Sequence, residues 1–246
     1  MVSAAFAAVP FTDVGDTEWY HDAVGYVYDN GLMVGTSEAD FSPKMTMSRA
    51  MFVTVLCKMA DGTPSGAANP FSDVPADKWY TPTVLWAYEN GVAAGTPEGR
   101  FLPDANVTRQ DAACLIVSFL SKMGIEAPDR PILQRAFSDM SAAAPYARTA
   151  IETMRRAGLA AGDTNGNYNP KSFLTRAEAA VLFMNLHKIV SEAADDPVDP
   201  TEPTEPTAPT EPTEPTDPTD PTDPTEAWIT IGTGAQDAEG WLPMIP

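Results

Sequence analysis

The chain has 246 residues, 43% of them hydrophobic, which is enough material for one or two globular domains. Its formal net charge is −19, and residues 1–194 contain all 15 Lys and Arg with 21 acidic residues, whereas the other 13 acidic residues follow them. The absence of a basic stripe argues against nucleic-acid binding, and the absence of an 18-residue apolar run argues against a transmembrane helix.

The N-terminal residues 1–8 have the small-residue pattern of a signal-peptide cleavage site. They lack a charged n-region and a full hydrophobic region. We interpret them as the remnant of an export signal, and a disordered Ala-rich N-terminus is the alternative.

Three internal repeats follow, and we place them at residues 9–66, 67–128 and 129–193. They open on Phe11-Thr12-Asp13-Val14, Phe71-Ser72-Asp73-Val74 and Phe137-Ser138-Asp139-Met140. The third repeat differs from the others, because Pro145 replaces the Trp of Trp19-Tyr20 and Trp79-Tyr80 and one extra residue precedes its Gly-rich loop. We expect the Asp of each opening to cap the turn that follows it.

Each repeat predicts a loop, a helix, a Gly-rich loop and a second helix. In the first repeat, Ala23, Val24, Val27 and Tyr28 recur at helical spacing, and Gly31 is placed as the glycine that ends the helix. A unit of about 50–60 residues makes a marginal domain, so we expect the three repeats to share one core. The predicted fold is mainly α, with three helix-loop-helix repeats in a pseudo-threefold bundle.

The second helix of each repeat begins with a capping signal, at Ser48, Thr108 and Thr175. Thr175 with Glu178 completes a capping box. Arg49, Arg109 and Arg176 follow the caps at the first helical position, where an anion is favoured by free N–H groups and the helix dipole. We therefore predict that these arginines hold an anionic ligand; a structural salt bridge across a repeat boundary is the alternative.

Residues 194–226 are predicted to be a disordered, acidic, Pro/Thr-rich linker. Thr201 to Pro224 consists of eight Thr-x-Pro triplets, which favour polyproline II and a reach of roughly 70 Å. Residues 227–246 form a short tail that the sequence leaves unassigned.

Taken together, the Phe-x-Asp-Val opening, the Trp-Tyr pair, the Gly-Thr loop and Thr175-Arg176-Ala177-Glu178 resemble the S-layer homology (SLH) domain in three tandem copies. The resemblance covers about residues 9–190. It implies a three-pronged helical unit with ligand grooves between repeats, and non-covalent anchoring of an exported protein to the cell wall. The implied ligand is a secondary cell-wall polysaccharide bearing pyruvate ketals, or a peptidoglycan-linked polymer.

The resemblance also implies roles for eight residues. The arginines would bind the ketal carboxylate, the glycines would let the loop backbone approach the sugar, and the tryptophans would stack on a sugar face. The eight are Arg49, Arg109, Arg176, Gly35, Gly95, Gly162, Trp19 and Trp79. A half-buried core role is the alternative for both tryptophans. We expect two working grooves, and the groove that depends on the third repeat's loop is not one of them.

Other kinds of site have little support in the sequence. The loop from Asp163 to Asn167 imitates the start of a calcium loop but has Tyr168 where Gly is needed. Cys57 and Cys114 occupy non-equivalent positions, which favours core thiols over a disulfide. His21 and His187 are isolated, and no catalytic signature is found, so we expect no metal site, no cofactor and no enzymatic activity in these residues.

The sequence and the resemblance therefore predict an extracellular module that binds the cell wall of a bacterium. We expect the bacterium to be Gram-positive and the protein to be monomeric. The first alternative is the anchor portion of a secreted polysaccharidase or wall hydrolase. The second is a structural protein that assembles into a surface array.

Overall fold

The computed structural model describes residues 9–63, 68–130 and 136–195, and within these the fold is helical. The six helices are α1 (His21–Asp29), α2 (Arg49–Met59), α3 (Thr81–Glu89), α4 (Arg109–Lys122), α5 (Arg148–Arg156) and α6 (Arg176–Asp195). Two 3₁₀ turns, Met140–Ala142 and Pro145–Ala147, precede α5. The predicted signal remnant, the linker beyond Asp195 and the tail lie outside the described residues. No helix in the described ranges has the length and hydrophobicity needed to cross a membrane.

Each repeat supplies two helices, and the second helix packs against the first helix of the next repeat. Accordingly α2 packs on α3, α4 packs on α5, and α6 returns to pack on α1. Two polar contacts mark these seams: Thr54 Oγ1 lies 2.7 Å from Thr83 Oγ1, and Tyr26 Oη lies 2.9 Å from Nδ1 of His187. The repeats therefore form a closed ring in which no repeat folds on itself alone.

A ring of three backbone hydrogen bonds lies where the repeats meet. Met47 N donates to Leu174 O at 2.9 Å, Leu174 N donates to Val107 O at 3.0 Å, and Val107 N donates to Met47 O at 2.9 Å. The three residues occupy the same position in their repeats, directly before the cap of the second helix. This cyclic exchange establishes the predicted pseudo-threefold arrangement.

The three repeats share one hydrophobic core, as predicted. Its fully buried aromatic rings come from every repeat, and the rings of Phe52 and Phe183 lie 4.8 Å apart although their repeats are the first and the third. Both cysteines are free thiols: Cys57 is buried in this core and Cys114 packs against it. The core explains why a unit too small to be stable alone is stable as one of three.

The expectation that the opening Asp residues cap the following turn is wrong. Each carboxylate accepts two hydrogen bonds from consecutive backbone N–H groups that follow the Gly-rich loop of the same repeat. Asp13 accepts from Phe41 N and Ser42 N, both at 2.8 Å, and Asp73 and Asp139 make the equivalent pairs. The second donor in each pair has a positive φ, for example 57° at Ser42, and this turn aims both N–H groups at one carboxylate.

Candidate functional site

The starts of the second helices do not offer free N–H groups to a ligand. Arg176 N donates to Met45 O at 2.8 Å, and Ala177 N donates to Pro43 O at 2.9 Å. The equivalent amides at the starts of α2 and α4 donate in the same way to the turn of the next repeat. The third amide donates to the cap, as Glu178 N does to Thr175 Oγ1. The backbone premise for an anion at this point is therefore wrong, and any anion binding depends on the arginine side chain.

The three arginine side chains connect neighbouring repeats. Each guanidinium lies over an aromatic ring of the next repeat. Its Nε and Nη2 donate to two backbone carbonyls of that same repeat. For Arg176 these are Phe41 O at 2.7 Å and Val34 O at 2.6 Å, with Cζ 4.4 Å from the centre of the Phe41 ring. Arg49 and Arg109 make the same contacts with Phe101 and Ala94, and with Tyr168 and Ala161.

This geometry gives the arginines a structural role across the repeat boundary. The alternative from the sequence was a structural salt bridge, but most of the contacts are hydrogen bonds to backbone carbonyls. Arg49 and Arg176 are only 8% and 6% exposed. Burial lowers the pKa of both guanidiniums, and the charge of Asp13 opposes that effect at Arg176. An arginine remains protonated in such surroundings, so each boundary holds a fixed positive charge.

The three arginines differ in one neighbour. This is the residue at the third position of the second helix in the next repeat. Glu178 Oε1 lies 3.3 Å from Arg109 Nη1 and forms an ion pair. Asp111 occupies the equivalent position for Arg49, and its charge opposes the burial that lowers the pKa of Arg49. The equivalent position for Arg176 is Met51, which carries no charge.

Trp19 and Trp79 are exposed, at 66% and 61%. Their rings pack edge to face on the buried neighbours Tyr20 and Tyr80, with centroids 5.2 and 5.3 Å apart. The alternative that they are half-buried core anchors is therefore wrong. An exposed indole that is fixed against a buried neighbour is suited to stacking on a flat apolar surface.

A cleft of about 350 Å³ combines three of the expected site residues from three different repeats. Trp19 comes from the first repeat, Arg109 from the second and Gly162 from the third. Apolar side chains of α5 and α6 line it, with Asp163 and Glu178 as its two acidic groups. We call it the Arg109 groove. It depends on the third repeat's loop, so it is the groove from which the sequence analysis expects no binding.

The pseudo-threefold relation predicts two further grooves, which we name by their arginines. The Arg176 groove would pair Arg176 with the loop at Gly35 and with Trp79. The Arg49 groove would pair Arg49 with the loop at Gly95, with Pro145 at the position where the other two have Trp.

The loop glycines are required by packing inside their own repeats. A Cβ on Gly35 would lie 2.5 Å from Cε1 of Phe11, and one on Gly95 would lie 2.4 Å from Cε1 of Phe71. Gly162 is less tight, with 3.1 Å to Cε1 of Phe137. Close approach of a sugar to these loops stays a prediction, and substituting the first two glycines would disturb the fold before it tested binding.

Sequence reasoning missed a polar network at the Arg49 groove. Tyr146 Oη donates to Asp111 Oδ1 at 2.7 Å and accepts from Gln110 Nε2 at 3.1 Å, while Gln110 Oε1 accepts from Ala144 N at 3.0 Å. Burial, followed by the carboxylate of Asp111, raises the pKa of Tyr146. The replacement of the Trp-Tyr pair by Pro145-Tyr146 is the signal that this groove departs from the others.

The loop that imitates a calcium site is organised by hydrogen bonds of its own. Asp163 Oδ1 accepts from Asn165 N at 2.8 Å and from Asn167 N at 3.0 Å. The N–H of Asn167, followed by the side-chain amide of Asn169 and the N–H of Asn165, lowers the pKa of Asp163 to about 2. Across the described ranges, no three His, Cys, Asp or Glu side chains are arranged to hold a metal ion.

Known proteins share this repeat pattern. The S-layer homology domain model matches residues 10–51, 70–113 and 136–180, more than half of the chain. An endoglucanase of Bacillus sp. (strain KSM-635) is 30% identical over 179 residues, which are 73% of this chain and 19% of the endoglucanase. The surface-layer 125 kDa protein of Lysinibacillus sphaericus is 32% identical over 165 residues, 66% of this chain and 13% of that protein. An S-layer protein of Bacillus thuringiensis subsp. finitimus is 26% identical over 176 residues, 72% of this chain and 21% of that protein. The chain thus spans about a fifth or less of the length of these relatives.

Proposed function

The chain belongs to the S-layer homology domain family, and from that premise we propose that it binds an anionic, pyruvylated secondary cell-wall polysaccharide. Family membership makes it a cell-surface anchoring module of a bacterium that binds cell-wall polymer. The Gram-positive wall, the pyruvate ketal and the monomeric state belong to the proposal. The observation that carries it is the Arg109 groove, in which an exposed Trp, a guanidinium and a Gly-rich loop from three repeats line one cleft.

The groove chemistry suits a sugar chain. The exposed face of Trp19 or Trp79 offers an apolar platform for the C–H face of a pyranose. The loop carbonyls and hydroxyls offer hydrogen-bond partners for sugar hydroxyls, and a guanidinium offers paired donors for a carboxylate. Arg49, Arg109, Arg176, Gly35, Gly95, Gly162, Trp19 and Trp79 remain the proposed contact residues.

Co-sedimentation of the full chain with wall sacculi of a Gram-positive bacterium tests this proposal. We expect binding to sacculi and loss of binding after acid extraction removes the secondary polymer. Binding that survives extraction would point to peptidoglycan instead, and no binding to either preparation would refute the proposal.

The exposed tryptophans provide matched variants for the same assay. Trp79→Ala should weaken sedimentation several-fold, because it removes a stacking surface without opening the core. Trp79→Tyr should restore most of the binding, since it returns an aromatic face. Equal binding by both variants would exclude stacking at this position.

The endoglucanase relative supports one alternative, in which this segment anchors a longer wall-associated enzyme. The same kind of segment occurs in surface-layer proteins, which favours anchoring as the shared role. Reading the native gene beyond the codon for Pro246 distinguishes the two, since an in-frame catalytic domain would establish the enzyme alternative. Light scattering at rising concentration tests the third possibility: a constant monomer mass would argue against self-assembly into an array.

A further inference from the structure

We propose that Phe173 is a separate contact for the wall polymer: an aromatic platform outside the arginine grooves, on which a sugar unit stacks beside the ammonium group of Lys171. The inference rests on the proposed function, because it concerns the same polymer, and it adds a surface that the repeat pattern does not assign. The platform belongs to the third repeat alone, since the first and second repeats have Thr46 and Asn106 at the equivalent positions.

Phe173 lies at the end of the ring where the three second helices begin. Positions 46, 106 and 173 each directly precede a member of the central ring of backbone hydrogen bonds, so they surround the pseudo-threefold axis. Two of them are in contact, because Thr46 Oγ1 donates to Asn106 Oδ1 at 2.8 Å. We call this end of the ring the apex, and it consists of residues 44–46, 104–106 and 171–173.

The Phe173 side chain is exposed on a backbone that is fixed on both sides. Ser172 O accepts from Arg109 N at 2.9 Å. Leu174 N donates to Val107 O at 3.0 Å. Phe173 itself is 53% exposed. The fold buries less than half of this residue, so core packing gives a weak reason for Phe in place of the polar residues of the other two repeats.

The apex adjoins the Arg109 groove. Ser172 and Leu174, on either side of Phe173, both line that groove. Successive side chains of an extended segment point to opposite sides, so Phe173 faces away from the groove and toward the apex. A polymer is longer than a cleft of about 350 Å³ and continues past its rim. Phe173 offers an aromatic surface directly beside that rim.

The charge of the apex is suited to an anionic polymer. Lys44 and Lys171 occupy the same position in the first and third repeats, Asp104 occupies it in the second, and all three are exposed. The apex therefore has more basic than acidic side chains, although residues 1–194 contain 15 basic and 21 acidic residues. An ammonium group two residues from the platform attracts a carboxylate on the stacked sugar or on the next one. This charge favours an anionic sugar chain over a purely apolar partner.

Replacing the platform tests the inference. Phe173→Asn supplies the residue type that the second repeat has at the equivalent position, and Phe173→Tyr returns an aromatic face. We expect the full chain with Phe173→Asn to bind wall sacculi on the order of fivefold more weakly, and Phe173→Tyr to bind as the unmodified protein does. Met123→Ala is the matched control, because Met123 is also exposed, at 37%, but lies at the opposite end of α4 from the apex. It should leave binding unchanged.

A short probe separates the apex from the grooves. The methyl glycoside of a hexose with a 4,6-linked pyruvate ketal is one sugar unit and cannot occupy a groove and the apex together. Calorimetric titration should therefore give the same affinity for the unmodified protein and for Phe173→Asn. Lys171→Gln should make sacculi binding less sensitive to salt and leave glycoside binding unchanged. Each variant should unfold at the same temperature as the unmodified protein, since both positions are exposed.

The outcomes separate this inference from the proposed function. If the unmodified protein binds neither sacculi nor the glycoside, both are refuted. If it binds sacculi and Phe173→Asn binds them equally well, this inference alone is refuted. An equal loss of sacculi and glycoside binding in Phe173→Asn would also refute it, because the change would then act on a groove. Sacculi binding that survives acid extraction and still falls in Phe173→Asn would refute the pyruvylated ligand and support the platform.

Discussion

The boundary between the third and first repeats and the boundary between the second and third repeats have the same backbone and different charge. At both, an arginine crosses to the next repeat, lies over an aromatic ring and donates to two carbonyls. At the second-to-third boundary the arginine also pairs with Glu178, whereas at the third-to-first boundary Met51 takes that place.

This difference separates the contacts that join the repeats from a contact that one boundary adds. The carbonyl contacts are common to all three boundaries, so they hold the ring together. Glu178 engages the third guanidinium nitrogen of Arg109, whereas the uncharged Met51 holds the equivalent position for Arg176. The ion pair is therefore an addition to the contacts that the ring requires.

The largest expected effect comes from removing the arginine at each boundary. Arg176→Ala should lower the free energy of unfolding by about 3 kcal/mol, since the carbonyls of Phe41 and Val34 lose their donor and a cavity forms. Arg109→Ala should cost less, about 2 kcal/mol, because its side chain is 17% exposed and water can reach the site. Urea unfolding followed by circular dichroism measures both. Equal losses would show that the two boundaries are structurally equivalent, and a wall-binding assay of either variant needs this stability control.

Exchanging the charges between the boundaries should change the free energy of unfolding less than removing an arginine does. The two single variants should change it in opposite directions. Glu178→Gln removes a partly exposed ion pair and should lower the free energy of unfolding by about 0.5–1 kcal/mol. Met51→Glu should raise it by about 0.5 kcal/mol, because it completes a capping box with Ser48 and pairs with Arg176. The double variant should lie near the unmodified protein. A destabilised Met51→Glu would mean that position 51 does not match position 178 in space.

The helices and their caps could be predicted from the sequence because their causes are local. Gly31 ends α1 with φ of 68°, and Ser48 accepts from Met51 N at 3.2 Å, both as the pattern indicates. The shared core followed from the small size of each repeat. These features depend on residues that lie within a few positions of one another.

The partners of those helices could not be predicted, because an apolar stripe shows that a face is buried and not what covers it. The same holds for the arginines and the opening Asp residues. Arg176 donates to carbonyls of Phe41 and Val34, and Asp13 accepts from backbone N–H groups 28 and 29 residues away. Backbone groups are present at every residue and leave no signature in the sequence. The sequence does show where the repeats differ, at positions 51, 111 and 178 and at Pro145 in place of Trp.

The smallest expected effect concerns pH at the seam where α6 closes the ring on α1. Tyr26 Oη and His187 Nδ1 are in hydrogen-bond contact there, and burial lowers the pKa of His187 below its ordinary value, with the charge of Asp61 opposing. The unfolded chain therefore binds a proton at His187 at higher pH than the folded chain does. The stability that depends on neutral His187 is complete above pH ~6.5 and declines as pH falls below it toward the lowered folded pKa. We expect the thermal midpoint to fall more between pH 7 and pH 5 in the unmodified protein than in His187→Gln. Identical pH slopes would mean that protonation of His187 does not weaken the closing seam. The seam between α2 and α3, where Thr54 contacts Thr83, has no titratable group at that contact and serves as the internal reference.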